Sequence, residues 1–107
     1  MIRRSERSMV LYKQVGAEIH LLKKIEGRLV MDASKVLSAT DTDRLMNAFE
    51  KIDHIRSRLE DNMFHDFPEL SNDYLNVFYG DFEGNSVSDV SKEMKQKAKE
   101  MADELIR

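Results

Sequence analysis

Cysteine is missing from this chain of 107 residues, tryptophan is missing too, proline occurs once and glycine four times. Without Cys there is no disulfide, no thiolate metal site and no Cys nucleophile. The composition suits a reducing compartment, so cytoplasm is the expected location. Scarce Pro and Gly, with 35% charged and 7% aromatic residues, favour helices over sheet. Long apolar runs are lacking as well. Met9-Val10-Leu11-Tyr12 falls far short of the roughly 18 residues that a bilayer requires, so no membrane span is expected. The basic start, Met1-Ile2-Arg3-Arg4-Ser5-Glu6-Arg7, has no apolar stretch of about 7 to 15 residues and so does not read as a secretory signal. The expectation is a soluble, unprocessed protein. Its length fits a single domain over 1–107. A chain of this size buries only about 60 to 65% of the surface its unfolded form exposes, and self-association would supplement so thin a core.

What is present is helical periodicity. In segment 1–37, Val15, Ile19, Leu22, Leu29, Ala33 and Val36 recur at helical steps, with Leu11 and Ile25 widening the stripe. That predicts one helix over about residues 5 to 37 with one buried face. Gly27 interrupts it and points to a bend or a close helix contact, with Gly16 able to do the same earlier. Thr40-Asp41-Thr42-Asp43 places a hydroxyl at an N-cap and a carboxylate three residues on, so a second helix is predicted over 41–64 after a short turn at 38–41. Leu45, Phe49, Ile52, Ile55, Leu59 and Met63 form its stripe, the cleanest heptad-like run in the chain.

The connector 65–87 breaks the pattern at Pro68, Gly80, Gly84 and Asn85. Within it, Ser71-Asn72-Asp73-Tyr74 can cap a short helix running through Phe78 to Gly80. A last helix over 88–107 is predicted from Ser86 or Ser88, with Asp89 and Glu93 near its positive end and a stripe of Val90, Met94, Ala98, Met101 and Leu105. Six of the eight aromatic residues, Phe64, Phe67, Tyr74, Phe78, Tyr79 and Phe82, fall within nineteen residues at the end of the second helix and in this connector. The simpler reading is a plug where the helices splay. The functional one is a partner surface, with Phe67, Tyr74, Val77, Phe78 and Tyr79 as the binding residues.

Charge is unevenly spread. Residues 1–35 hold eight Lys or Arg against four acids, and residues 36–91 hold four against twelve. Opposite charge on neighbouring helices suits packing against each other within or between subunits. Arg3, Arg4, Arg7, Lys13, Lys23, Lys24 and Arg28 could instead form a stripe for weak RNA binding by the first helix. A net charge of −3 weighs against a nucleic-acid partner.

Chemistry-bearing constellations are sparse. His20, His54 and His65 lie on separate stretches and lack paired-ligand spacing such as H-E-x-x-H, so neither a metal nor a cofactor is expected. Glu50/His54 and Asp61/His65 are four apart, a spacing that in a chain with twenty acids reads as surface hydrogen bonding. Glu50-x-x-Asp53 and Glu100-x-x-Asp103 match half of the magnesium site of all-α nucleotide pyrophosphatases, but the E-x-x-E half is missing. Arg58, six residues and then His65 resembles the motif spacing of HEPN-type helical ribonucleases, with Leu59 where that family has a polar residue. The resemblance covers eight residues. It implies a ribonuclease toxin in which His65 moves protons and Arg58 stabilises charge on phosphorus. No nucleophile elbow or phosphate-cradling Gly-rich loop is present.

The residues therefore predict an all-α domain: an antiparallel hairpin of two long helices, a short helix in an aromatic-rich connector and a C-terminal helix, self-associating as a homodimeric bundle. The expected function is non-enzymatic, that of a regulatory or adaptor protein working by protein–protein contact.

Overall fold

The computed structural model describes residues 2–79 and 88–106. Every regular element among them is helical: a 3-10 turn at Arg4–Glu6, α1 at Met9–Ala33, α2 at Ala39–Asp66, a second 3-10 turn at Asn72–Val77 and α3 at Asp89–Ile106. No helix among the described residues is long and apolar enough to cross a membrane.

The helix ends correct several expectations. α1 starts at Met9, not near residue 5, because Ser8 is extended and its hydroxyl accepts the Leu11 N–H at 3.1 Å. It stops at Ala33, leaving residues 34–37 as turns. The N-cap of α2 is Ser38 and not Thr40. The Ser38 hydroxyl accepts the Asp41 N–H at 3.1 Å, and its carbonyl accepts from Thr42 Oγ1 at 2.9 Å, which brings Thr40 and Asp41 into the first turn. α2 runs on to Asp66 and ends at Phe67, whose φ of −131° and ψ of 75° lie outside the helical region that the following Pro68 disfavours. Ser71 precedes the connector element, but that element is a 3-10 turn over Asn72–Val77 and Ser71 gives it no side-chain cap. Ser88 opens α3, its hydroxyl accepting the Ser91 N–H at 3.0 Å. Gly80, Phe82, Gly84, Asn85 and Ser86 lie outside the described residues.

The core gathers where α1, α2, α3 and the connector turn meet. Met63, Val77, Phe78 and Met94 are its fully buried centre, joined by Tyr12, Ala17, Val90 and Ala98. Tyr12 packs edge-on against both Phe67 and Phe78, with ring centroids 6.2 and 6.4 Å away. α1 admits the connector through Gly16: a Cβ there would stand 2.3 Å from the Val77 carbonyl oxygen. Next to it, His20 Nε2 lies 2.9 Å from the Asn76 carbonyl oxygen. Gly27, the other candidate for a close contact, has nothing within 4 Å of where a Cβ would be.

The buried arc of α1 is therefore not the predicted stripe. Tyr12, Gly16, Ala17, His20 and Glu26 are buried, whereas Leu11, Ile25 (53% exposed) and Leu29 (45%) face outward, and Val36 lies beyond the helix at 85%. The reason is that α1 has neighbours on two sides. α2 meets it through Lys23 Nζ to Asp53 Oδ1 at 3.0 Å and the Tyr12 to Asp66 hydrogen bond, while the connector and α3 occupy the side of Gly16, Ala17 and His20. On α3, Val90, Met94 and Ala98 are buried as predicted, but Leu105 at 71% exposure is not.

Candidate interaction surface

Of the predicted partner residues, Val77 and Phe78 are enclosed by the chain itself, so neither presents a surface to a partner. They sit in the core because the Gly16 notch lets the connector dock directly on α1. Phe67, Tyr74 and Tyr79 are half-buried around them and keep an outer edge. Lys13 Nζ stands 5.6 Å from the Tyr74 ring centre and the Arg56 guanidinium 4.1 Å from that of Tyr79.

Much of the basic stripe is engaged within the chain. Arg4 Nε meets Asp66 at 2.8 Å, Arg7 Nε meets Asp66 at 3.2 Å, Lys13 meets Glu93 at 2.7 Å, and Lys23 contacts both Asp53 and the buried Glu26. Arg3, Lys24 and Arg28 remain exposed. Arg58 and His65 are both exposed on α2, seven residues apart, and the His65 carbonyl accepts from Arg4 Nη2 at 3.3 Å. Among the described residues no group of three or more His, Asp or Glu could hold a metal ion.

Asp66 is the residue that sequence reasoning missed. Its side chain is almost wholly covered and receives the Tyr12 hydroxyl, Arg4 and Arg7. The Tyr12 hydrogen bond foremost, with the two arginines, holds its carboxyl below the usual carboxylate range against the opposing cost of burial. Burial first, and then the hydrogen bond to Asp66, pushes the Tyr12 phenol up to about 12. Burial lowers the His20 imidazole below its ordinary value. One signal for Asp66 was available: an acid at the last residue of a helix opposes the macrodipole and calls for a compensating partner.

The α1 and α2 pair carries further exposed surface among the described residues. α3 packs along α1 from Lys13 to Lys24, where His20, Leu21 and Lys24 share a cleft of about 270 Å³ with Lys95, Ala98, Lys99 and Ala102. The α1–α2 pair has two further sides. One is an open groove of about 470 Å³ lined by Lys23, Glu26, Gly27, Val30, Met46, Phe49, Glu50 and Asp53. Glu26 forms its floor at 4% exposure, with Lys23 Nζ 3.4 Å away. The other side is apolar. There Leu11, Val15, Leu59 and Asn62 line a pocket of about 180 Å³ together with Ile2, Arg7 and Tyr12, which brings the rows of both helices together at that end, where Val15 and Leu59 also pack against the core. Along α2 that row continues through Ile55, Ile52, Ala48 and Leu45 at alternating steps of three and four, and along α1 it resumes at Leu22, Ile25 and Leu29 after a step of seven that passes over Glu18. All of these residues are half-buried or exposed. No protein-family model, curated protein or solved structure matches the chain.

Proposed function

We propose that this protein works by contact and not by chemistry: α1 and α2 form an antiparallel hairpin that joins a second copy of the chain in a helical bundle, and the resulting dimer serves as a regulatory or adaptor module. The observation that carries this reading is the partly uncovered apolar row on both helices, in which Ile25, Leu29 and Ile55 are each about half exposed while Val15 and Leu59 also reach the core. Scattered surface apolar residues are ordinary, but a row held at heptad spacing over four turns of two adjacent helices is the pattern of a bundle seam. The half-buried rim of Phe67, Tyr74 and Tyr79 is the surface this reading offers to a further protein partner, with Val77 and Phe78 supporting it from beneath.

Light scattering coupled to size exclusion, at low and at high salt, tests the reading. The expected result is a dimer at both salts, since burial of apolar surface is not screened by ions. A monomer at both salts up to high protein concentration sinks it.

A further inference from the structure

The proposed self-association leaves open how the two copies face each other, and the charges bordering the apolar row supply an answer. On α2, Arg44, Lys51 and Arg58 recur every seven residues, each directly before a seam residue, Leu45, Ile52 or Leu59. At about 100° of rotation per residue this is a basic line along the outer border of the seam. On α1, Glu18 and Asp32 stand fourteen residues apart within the seam's own register. All five are exposed. Asp32 and Arg44 have only i,i+3 surface partners, Lys35 at 3.7 Å and Asp41 at 3.2 Å, while Glu18, Lys51 and Arg58 form no ion pair among the described residues.

Within the chain, residue 23 meets residue 53. Five residues back along α1 and five on along α2, Glu18 lies level with Arg58. Nine on and nine back, Asp32 lies level with Arg44. Inside one chain these acids and bases border the open face and do not meet. A two-fold axis parallel to the helices, lying in that face, brings α1 of each copy opposite α2 of the other and preserves every axial level. Opposite charges with the same fourteen-residue separation then coincide.

On this basis we infer that two copies pack by their apolar faces about a two-fold axis parallel to α1 and α2, with Glu18 against Arg58 of the partner subunit and Asp32 against Arg44 of the partner subunit. The seam closes in layers at the same levels: Leu22 with Ile55, Ile25 with Ile52, Leu29 with Ala48. Lys51 lies level with Ile25 of the other copy and covers it with its methylene stem. The opposite arrangement, with the axis perpendicular to the helices, sets α1 against α1 and leaves Arg44, Lys51 and Arg58 facing their own copies.

The experiment is a charge exchange read by native mass spectrometry, with one variant isotope-labelled, and by light scattering. Variant A carries Glu18→Arg and Asp32→Arg; variant B carries Arg44→Glu and Arg58→Glu. Each variant alone sets like charges against each other at four places in the dimer, and its Kd rises about a hundredfold at low salt. Mixed in equal amounts, A and B restore every pair and form a heterodimer close to wild-type affinity. Circular dichroism of each variant checks that the exposed substitutions leave the helices intact. If both variants dimerise as well as the wild type, or if the mixture fails to restore dimer, this arrangement is overturned while self-association stands. A monomeric wild type overturns both.

Discussion

Two glycines in one helix predict opposite responses to the same substitution. Gly27→Ala gains helix propensity worth about 1 kcal/mol, and nothing within 4 Å of the new methyl opposes it. Gly16→Ala gains the same propensity but sets its Cβ 2.3 Å from the Val77 carbonyl oxygen and 2.7 Å from Val77 Cγ1. Carbon atoms pack best at about 3.5 Å or more, so the connector must retreat by about 1 Å. Rotating a side chain cannot relieve the contact, because the nearest atom is backbone. Retreat loosens the contact of His20 with the Asn76 carbonyl and the packing of Val77 and Phe78. Overpacking of this kind costs about 1 to 3 kcal/mol, and loss of a buried hydrogen bond about 1 more. The net expectation is a loss of about 2 kcal/mol for Gly16→Ala against a gain of up to about 1 for Gly27→Ala. At about 4 to 8 °C per kcal/mol for a domain of this size, thermal unfolding followed by circular dichroism separates the two variants by more than 10 °C. A higher Tm for Gly16→Ala than for wild type would refute the docking of the connector on α1.

Phe78→Ala empties the centre of the core and costs about 3 to 5 kcal/mol, whereas Leu105→Ala on exposed α3 surface changes stability by less than about 0.5, both measured by urea unfolding. Because Tyr12 is raised from 10.0 to about 12, the stability it contributes is present below pH 10 and is lost as pH rises from 10 to about 12. A late rise in phenolate absorbance toward pH 12 that vanishes in Tyr12→Phe checks this, and its persistence in the variant refutes it. His20 is lowered from 6.5, so the unfolded chain takes up its proton first and stability falls as pH drops below 6.5. Urea midpoints at pH 8 and pH 5.5 should differ less in His20→Gln than in wild type.

Local periodicity was enough to read the all-helical class and the three long helices, and the hydroxyl cap at Ser88 marked where α3 begins, whereas Ser71 precedes the connector turn without a side-chain cap. What it could not read were choices made by distant residues. Ser38 and Thr40 each precede an aspartate three residues on, and the earlier one prevails because it also engages Thr42. Gly16 and Gly27 look alike in sequence, yet only one meets the connector, a segment more than fifty residues away. The aromatic cluster divides for the same reason. Phe78 enters the core beside that glycine, while Tyr74 and Tyr79 stay half out, each beneath a cation. Asp66 draws its partners from the opposite end of the chain.

The buried arc of α1 departs from its apolar stripe for a physical reason. A helix with one neighbour buries its most apolar arc, but α1 has neighbours on two sides, α2 on one and the connector with α3 on the other, and they use the small and polar residues Gly16, Ala17, His20 and Glu26 as well as Tyr12. Small residues let the connector approach closely, and that approach buries Phe78 and Val77 from other elements. The arc carrying Leu22, Ile25 and Leu29 is thereby left over, aligned with the outer row of α2 and bordered by exposed charges at a matching interval. A monomer would gain solubility from polar residues at the exposed positions Ile25, Leu29 and Ile55, none of which belongs to the core. Large aliphatic residues kept there at heptad spacing make physical sense when a third and fourth helix complete the layer, which is why the charge-exchange experiment bears on function as well as on geometry.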